Sequence, residues 1–116
     1  MDIYHVWCDL QPGSSDLEFA ERVSHFLDSL RAAGKLASYR ITRRKLGFAP
    51  ADLHEFHLML EFDGLAQLDA AFGTVAARDA PIEGLHHAVN SQAARVRFAL
   101  YRDFPDPERK RGEELF

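Results

Sequence analysis

Six histidines, at positions 5, 25, 54, 57, 86 and 87, are the side chains best placed to move protons or hold a metal near neutral pH. A metal needs several imidazoles or carboxylates converging on one point. His54 and His57 lie an odd number of residues apart in an alternating run, which sends them to opposite faces. His86 and His87 are adjacent in a helical stretch and point about 100° apart. Neither pair chelates, so the expectation is no metal. His5 and His57 fit acid–base work better, because a partly buried imidazole near a carboxylate titrates close to neutral pH. With Tyr101, whose hydroxyl would donate to a developing oxyanion, they are the catalytic candidates. Arg40, Arg44 and Arg97 carry the planar fork that grips a carboxylate or phenolate. Trp7, Asp9, Met59, Glu61 and His86 complete the ligand-binding candidates. Arginines and acids also pair across sheets, and the residues alone leave both uses open.

The elements that must carry these residues follow from periodicity. Val6, Cys8 and Leu10 alternate with His5, Trp7 and Asp9, a strand pattern broken by Gln11-Pro12-Gly13-Ser14. Ser15 and Glu18 have capping-box spacing. Leu17, Ala20, Val23, Leu27 and Leu30, widened by Phe19 and Phe26, then form a helical stripe ending at Gly34. Leu36 to Leu46 reads as a cationic edge strand, followed by a hairpin loop over 47–52. His54, Phe56, Leu58, Leu60 and Phe62 alternate with Glu55, His57, Met59 and Glu61. A second helix follows Asp63-Gly64, with Leu65, Leu68, Phe72, Val75 and Ala76 along one face. A short helical piece spans Ile82 to Ser91, and a last strand runs from Arg95 to Arg102.

The order βαββαβ predicts an α+β, ferredoxin-like fold: a four-stranded antiparallel sheet with its helices on one face. Val6, Phe56, Leu58, Leu60, Val96, Phe98 and Leu100 would meet the helices. The opposite face would carry the candidates named above except His86, which the helical piece before the last strand presents either as a lid or wall of the cavity or as a packed residue. Trp7, Met59 and Tyr101 are unusual choices for a face left in water, and a second copy of the sheet would cover them. A homodimer enclosing a polar cavity is therefore expected.

This order, the mixed polar–aromatic face and the helical insert before the last strand resemble the dimeric α/β-barrel superfamily. Within it, YRITRRKLGF (39–48), EGLHHAVNS (83–91) and LYRDFPDPERKRGEE (100–114) resemble an uncharacterised bacterial family. The resemblance implies two ferredoxin-like subunits joined sheet to sheet. It implies no one activity, since the superfamily holds cofactor-free monooxygenases, isomerases of small cyclic acids, haem enzymes and stress-induced proteins.

Composition bounds the remainder. The 116 residues suffice for one domain, with 47% apolar and 28% charged residues placing the chain among ordinary globular proteins. The domain is expected over 1–104, with 105–116 a charged tail, irregular or docked on a partner subunit through Leu115 and Phe116. A formal charge of −4 argues against nucleic acid, and no apolar run approaches the ~20 residues of a membrane span. MDIYHVWCDL lacks the cationic start of a signal peptide, and the single Cys8, read as core filler, suits a reducing compartment; the cytoplasm is the expectation. Gly64, Gly73 and Gly84 are scattered and form no phosphate loop, so no cofactor is expected. Two functions lead: an enzyme, monooxygenase- or isomerase-like, acting on a small organic or aromatic acid, and a non-catalytic ligand-binding or stress-related dimer; a haem or metal protein comes third.

Overall fold

The structure, a computed structural model, describes residues 1–112. Its elements are β1 (Asp2–Leu10), α1 (Asp16–Ala32), β2 (Ser38–Arg43), β3 (Phe56–Phe62), α2 (Leu65–Ala76), α3 (Ile82–Asn90) and β4 (Ala93–Arg102). The strands form one antiparallel sheet in the order β2-β3-β1-β4, the ferredoxin-like arrangement expected from the sequence. The proposed tail anchor, Leu115 and Phe116, lies outside the described residues.

Helix α1 is defined at both ends by its own residues. The Ser15 hydroxyl accepts from the Glu18 amide at 3.3 Å. At the other end the Gly34 amide donates to the Arg31 carbonyl and the Lys35 amide to the Leu30 carbonyl. That double closure requires a left-handed residue, and Gly34 supplies it at φ 74°. The buried stripe is Phe19, Val23, Leu27 and Leu30. Leu17, expected in that stripe, is 75% exposed, because the face that meets the sheet is centred on Phe19.

The core lies over the two central strands, where Cys8, Phe56, Leu58, Leu60 and Phe62 are buried in one cluster with Phe19, Val23, Leu27 and Leu30 of α1 and Ala71 of α2. Three expectations need correction. First, β2 is shorter than Leu36–Leu46: Leu46 and Gly47 take positive φ angles of 55° and 73°, which turn the chain out of the sheet soon after Arg43. Second, β4 begins at Ala93 rather than Arg95. A bulge marked by Arg95 at φ 55° shifts its register against β1 between Trp7 and Asp9. Third, Phe98 and Leu100 face the helices but are 60% and 51% exposed, since the helices cover the centre of the sheet and leave its β4 edge open. Helix α2 is correspondingly shallow: Ala71 is its buried residue, while Leu65 and Phe72 are largely exposed. Tyr4 fills part of the gap, edge-on to Phe72 at 5.1 Å and stacked on Phe98 at 5.6 Å. Between sheet and helices this leaves an apolar cleft of about 450 Å³. Among the described residues no helix is long and apolar enough to cross a membrane.

Candidate functional site

The sheet face away from the helices carries most of the predicted set. His5, Trp7 and Asp9 come from β1, His57, Met59 and Glu61 from β3, Arg40 from β2, and Arg97 and Tyr101 from β4. Register decides who meets whom. His5 lies opposite Met59, and Trp7 opposite both His57 and Arg97. His5 and His57 are thus diagonal neighbours, a separation that ring side chains can bridge.

They do bridge it: His5 Nδ1 and His57 Nε2 are 2.8 Å apart. Trp7 lies nearly parallel to both rings, 4.6 Å from His57 and 5.4 Å from His5 between centroids. Tyr101 presents itself edge-on to His5 at 4.9 Å. Burial lowers the pKa of His5, and burial followed by the neighbouring charge of His5 lowers that of His57. Both rings therefore favour the neutral form. A neutral imidazole offers one donor and one acceptor nitrogen, so this bond joins a donor to an acceptor. Exchanging tautomers in both rings reverses its direction, which is what passing a proton across the pair requires.

The remaining candidates divide. Asp9 accepts from the Glu55 amide at 2.9 Å and pairs with Arg95 at 3.3 Å, which ties it to the sheet edge. Glu61 accepts from the Ser38 hydroxyl at 2.6 Å, away from the imidazoles. Arg97 donates to the Asp52 carbonyl at 3.1 Å. Arg40 is exposed opposite Met59, with no acidic partner among the described residues. His86 is not on this face: it sits on α3, its ring 5.3 Å from Phe26, and lines the cleft between sheet and helices. Of its two sequence-level readings, a wall of the open-face cavity or a packed helix residue, its place is the packed one, since α3 packs against α1 on the helix side of the sheet. No group of three or more metal-ligating side chains converges among the described residues.

Arg44 belongs to a recess of about 270 Å³ at the root of the β2–β3 loop, where Trp7 and His57 meet Lys45, Phe48 and His54. None of the last three is a site candidate from sequence: Lys45 falls in the cationic edge strand, Phe48 in the hairpin loop and His54 in the alternation of the third strand. His54 is 6% exposed and its Nδ1 has no hydrogen-bond partner. A buried polar atom left so costs about 1–3 kcal/mol. The only sequence signal was a histidine at a core-facing position just before β3.

A ferredoxin-like sheet with an aromatic–imidazole cluster on its uncovered face defines a small α+β domain of the kind found in dimeric ferredoxin-like proteins. The chain belongs to the family of unknown function DUF6614, which it matches over residues 1–116. No curated protein matches it in sequence. Its fold is similar to that of At3g17210 from Arabidopsis thaliana (TM-score 0.70, 6% identity, 89% of this chain and 95% of that one). It is also similar to a dimeric ferredoxin-like protein of unknown function from Thermobifida fusca (TM-score 0.58, 19% identity, 87% and 90% covered). A third similar structure is a variant of SnoaB, a cofactor-independent oxygenase from Streptomyces nogalater (TM-score 0.65, 6% identity, 93% and 98% covered). At these identities the likeness is one of fold.

Proposed function

We propose that this chain is a homodimer joined through the open sheet faces, and that it handles a small organic or aromatic acid without a cofactor, the His5–His57 pair moving the proton. The observation that carries this reading is the 2.8 Å contact between the two imidazoles, neutral and flanked by Trp7 and Tyr101. A partner sheet over the face would exclude water from the pair and cover three aromatic or thioether side chains that otherwise meet solvent. Similar folds described as dimeric, and one described as a cofactor-independent oxygenase, support the assembly and the absence of a cofactor. The chemistry is oxygenase- or isomerase-like, since both begin by taking a proton from an acidified carbon. The single buried Cys8 supports a reducing, cytoplasmic setting.

One observation favours a second reading, a non-catalytic ligand-binding dimer. The 450 Å³ cleft on the helix side is lined almost wholly by apolar groups, among them Tyr4, Cys8, Phe26 and Phe98, with His86 as its one imidazole. Such a volume takes an apolar molecule without offering it chemistry.

The two separate on a single series. Proton–deuterium exchange at carbon-bound hydrogens beside a carbonyl is followed by NMR for a panel of small aromatic and cyclic keto acids. Exchange that falls about a hundredfold or more in His5→Ala and in His57→Ala supports the enzyme. Exchange by the wild type that neither change affects removes the proposed role of the pair.

A further inference from the structure

We infer that the recess at the root of the β2–β3 loop is the seat of a single-ring aromatic carboxylate, with Arg44 and Lys45 meeting the carboxylate and Trp7 and Phe48 flanking the ring. This rests on the proton-transfer reading and names the substrate class for it, an aromatic carboxylate that also bears the C–H or O–H to be deprotonated; benzoate serves as its binding probe.

The cations come first. Arg43, next in sequence, is already held by Asp16 at 2.8 Å and Glu55 at 2.6 Å. Arg44 and Lys45 have no carboxylate partner among the described residues; Arg44 makes one long bond, from Nη1 to the Leu53 carbonyl at 3.4 Å. At that length the bond is weak, so the guanidinium fork is free to turn onto a carboxylate, with the lysine as a neighbouring point charge. The chain sets these groups on one rim, because the Phe48 amide donates to the Lys45 carbonyl at 3.0 Å and closes a tight turn.

The walls come next. Trp7 already lies parallel to His57, so its ring plane is fixed before any ligand arrives. Phe48 is 83% exposed at the same recess, an apolar ring that a bound ring would shelter. Independently of charge and stacking, His54 lines the recess with a buried, unpaired Nδ1. A carboxylate or phenol oxygen reaching in from the recess supplies the missing partner. At about 270 Å³ the recess has room for one ring and its carboxylate. His57 lines the same recess, which puts the imidazole pair beside the bound ring.

The test uses the full chain and its single tryptophan. Trp7 fluorescence is titrated with sodium benzoate and, as the neutral counterpart, benzyl alcohol. Benzoate is expected to give a saturable change, with benzyl alcohol about tenfold or more weaker. The exposed double substitution Arg44→Gln/Lys45→Gln is expected to weaken benzoate about tenfold or more while leaving the circular dichroism and melting temperature unchanged. No saturable change, equal binding of the two probes, or unaltered benzoate affinity in the double variant would each overturn the seat. Loss of benzoate binding while the two imidazoles still titrate as a coupled pair overturns the seat alone. Benzoate binding beside imidazoles that titrate independently overturns the proton-transfer reading alone.

Discussion

The Nδ1 of His5 and the Nε2 of His57 stand 2.8 Å apart, although 52 residues separate them in the chain. Strand order creates that closeness, because β1 and β3 are central neighbours and their register sets the two imidazoles on one diagonal. An imidazole pair under a stacked tryptophan is costly to charge, and that cost is measurable in stability as well as in chemistry.

Stability should fall as acid is added. Unfolded histidines take up protons as the pH drops through about 6.5. His5 and His57 in the folded chain do so only at lower pH, since burial lowers both. Through that window the unfolded state binds more protons, so acid favours unfolding, while above about pH 7 both states are neutral and the difference vanishes. The urea midpoint is expected to drop between pH 7 and pH 5, and to drop less in His5→Gln/His57→Gln. An equal drop in both proteins contradicts the pair's part in it.

Phe62 is fully buried in the core between the sheet and the helices, and Phe62→Ala removes its apolar area and leaves a cavity. A loss of about 3–5 kcal/mol is expected in urea unfolding. A loss below about 1 kcal/mol would mean that the helices do not close over β3 as described.

Much of this was legible beforehand, and the misses share one cause. The alternation through β1 and β3 assigned His5, Trp7, His57 and Met59 to the open face correctly, because period two needs no knowledge of neighbours. The Ser15 cap and Gly34 likewise bound α1 through local hydrogen bonds. What periodicity could not supply was distance. It left His5 and His57 unpaired until the register was known, and it left His86, on its helical piece, open between a cavity wall and a packed position. Phe98 and Leu100 kept the correct face but not the expected burial, since the reach of α1 and α2 across the sheet is a tertiary quantity. His54, Lys45 and Phe48 became a site only once the loop was seen to fold back at its root.

The open face should be the dimer interface. Met59 lies near its middle, opposite His5 on one side and Arg40 on the other. Native mass spectrometry is expected to give twice 13.2 kDa for the wild type and 13.2 kDa for Met59→Arg, which places a charge against its own symmetry-related copy. A wild-type monomer at micromolar concentration, or a dimer unaffected by the substitution, counts against face-to-face pairing.

Cys8 should be inert in the folded chain. It is 1% exposed, and burial, with a smaller contribution from Asp9, pushes its thiol up to about 11. Each pKa unit removes about tenfold of the thiolate. Alkylation at pH 8 is expected to be about a hundredfold or more slower in buffer than in denaturing urea. Comparable rates would show that the core opens readily around β1.

The most direct test of the proton-transfer reading is ¹⁵N NMR titration of the histidine side chains in the wild type and in His5→Gln and His57→Gln. The expected result is two imidazoles that titrate below the ordinary histidine value of about 6.5, with each substitution shifting the surviving partner's titration. Two imidazoles that titrate at the ordinary value, each indifferent to loss of the other, would contradict it.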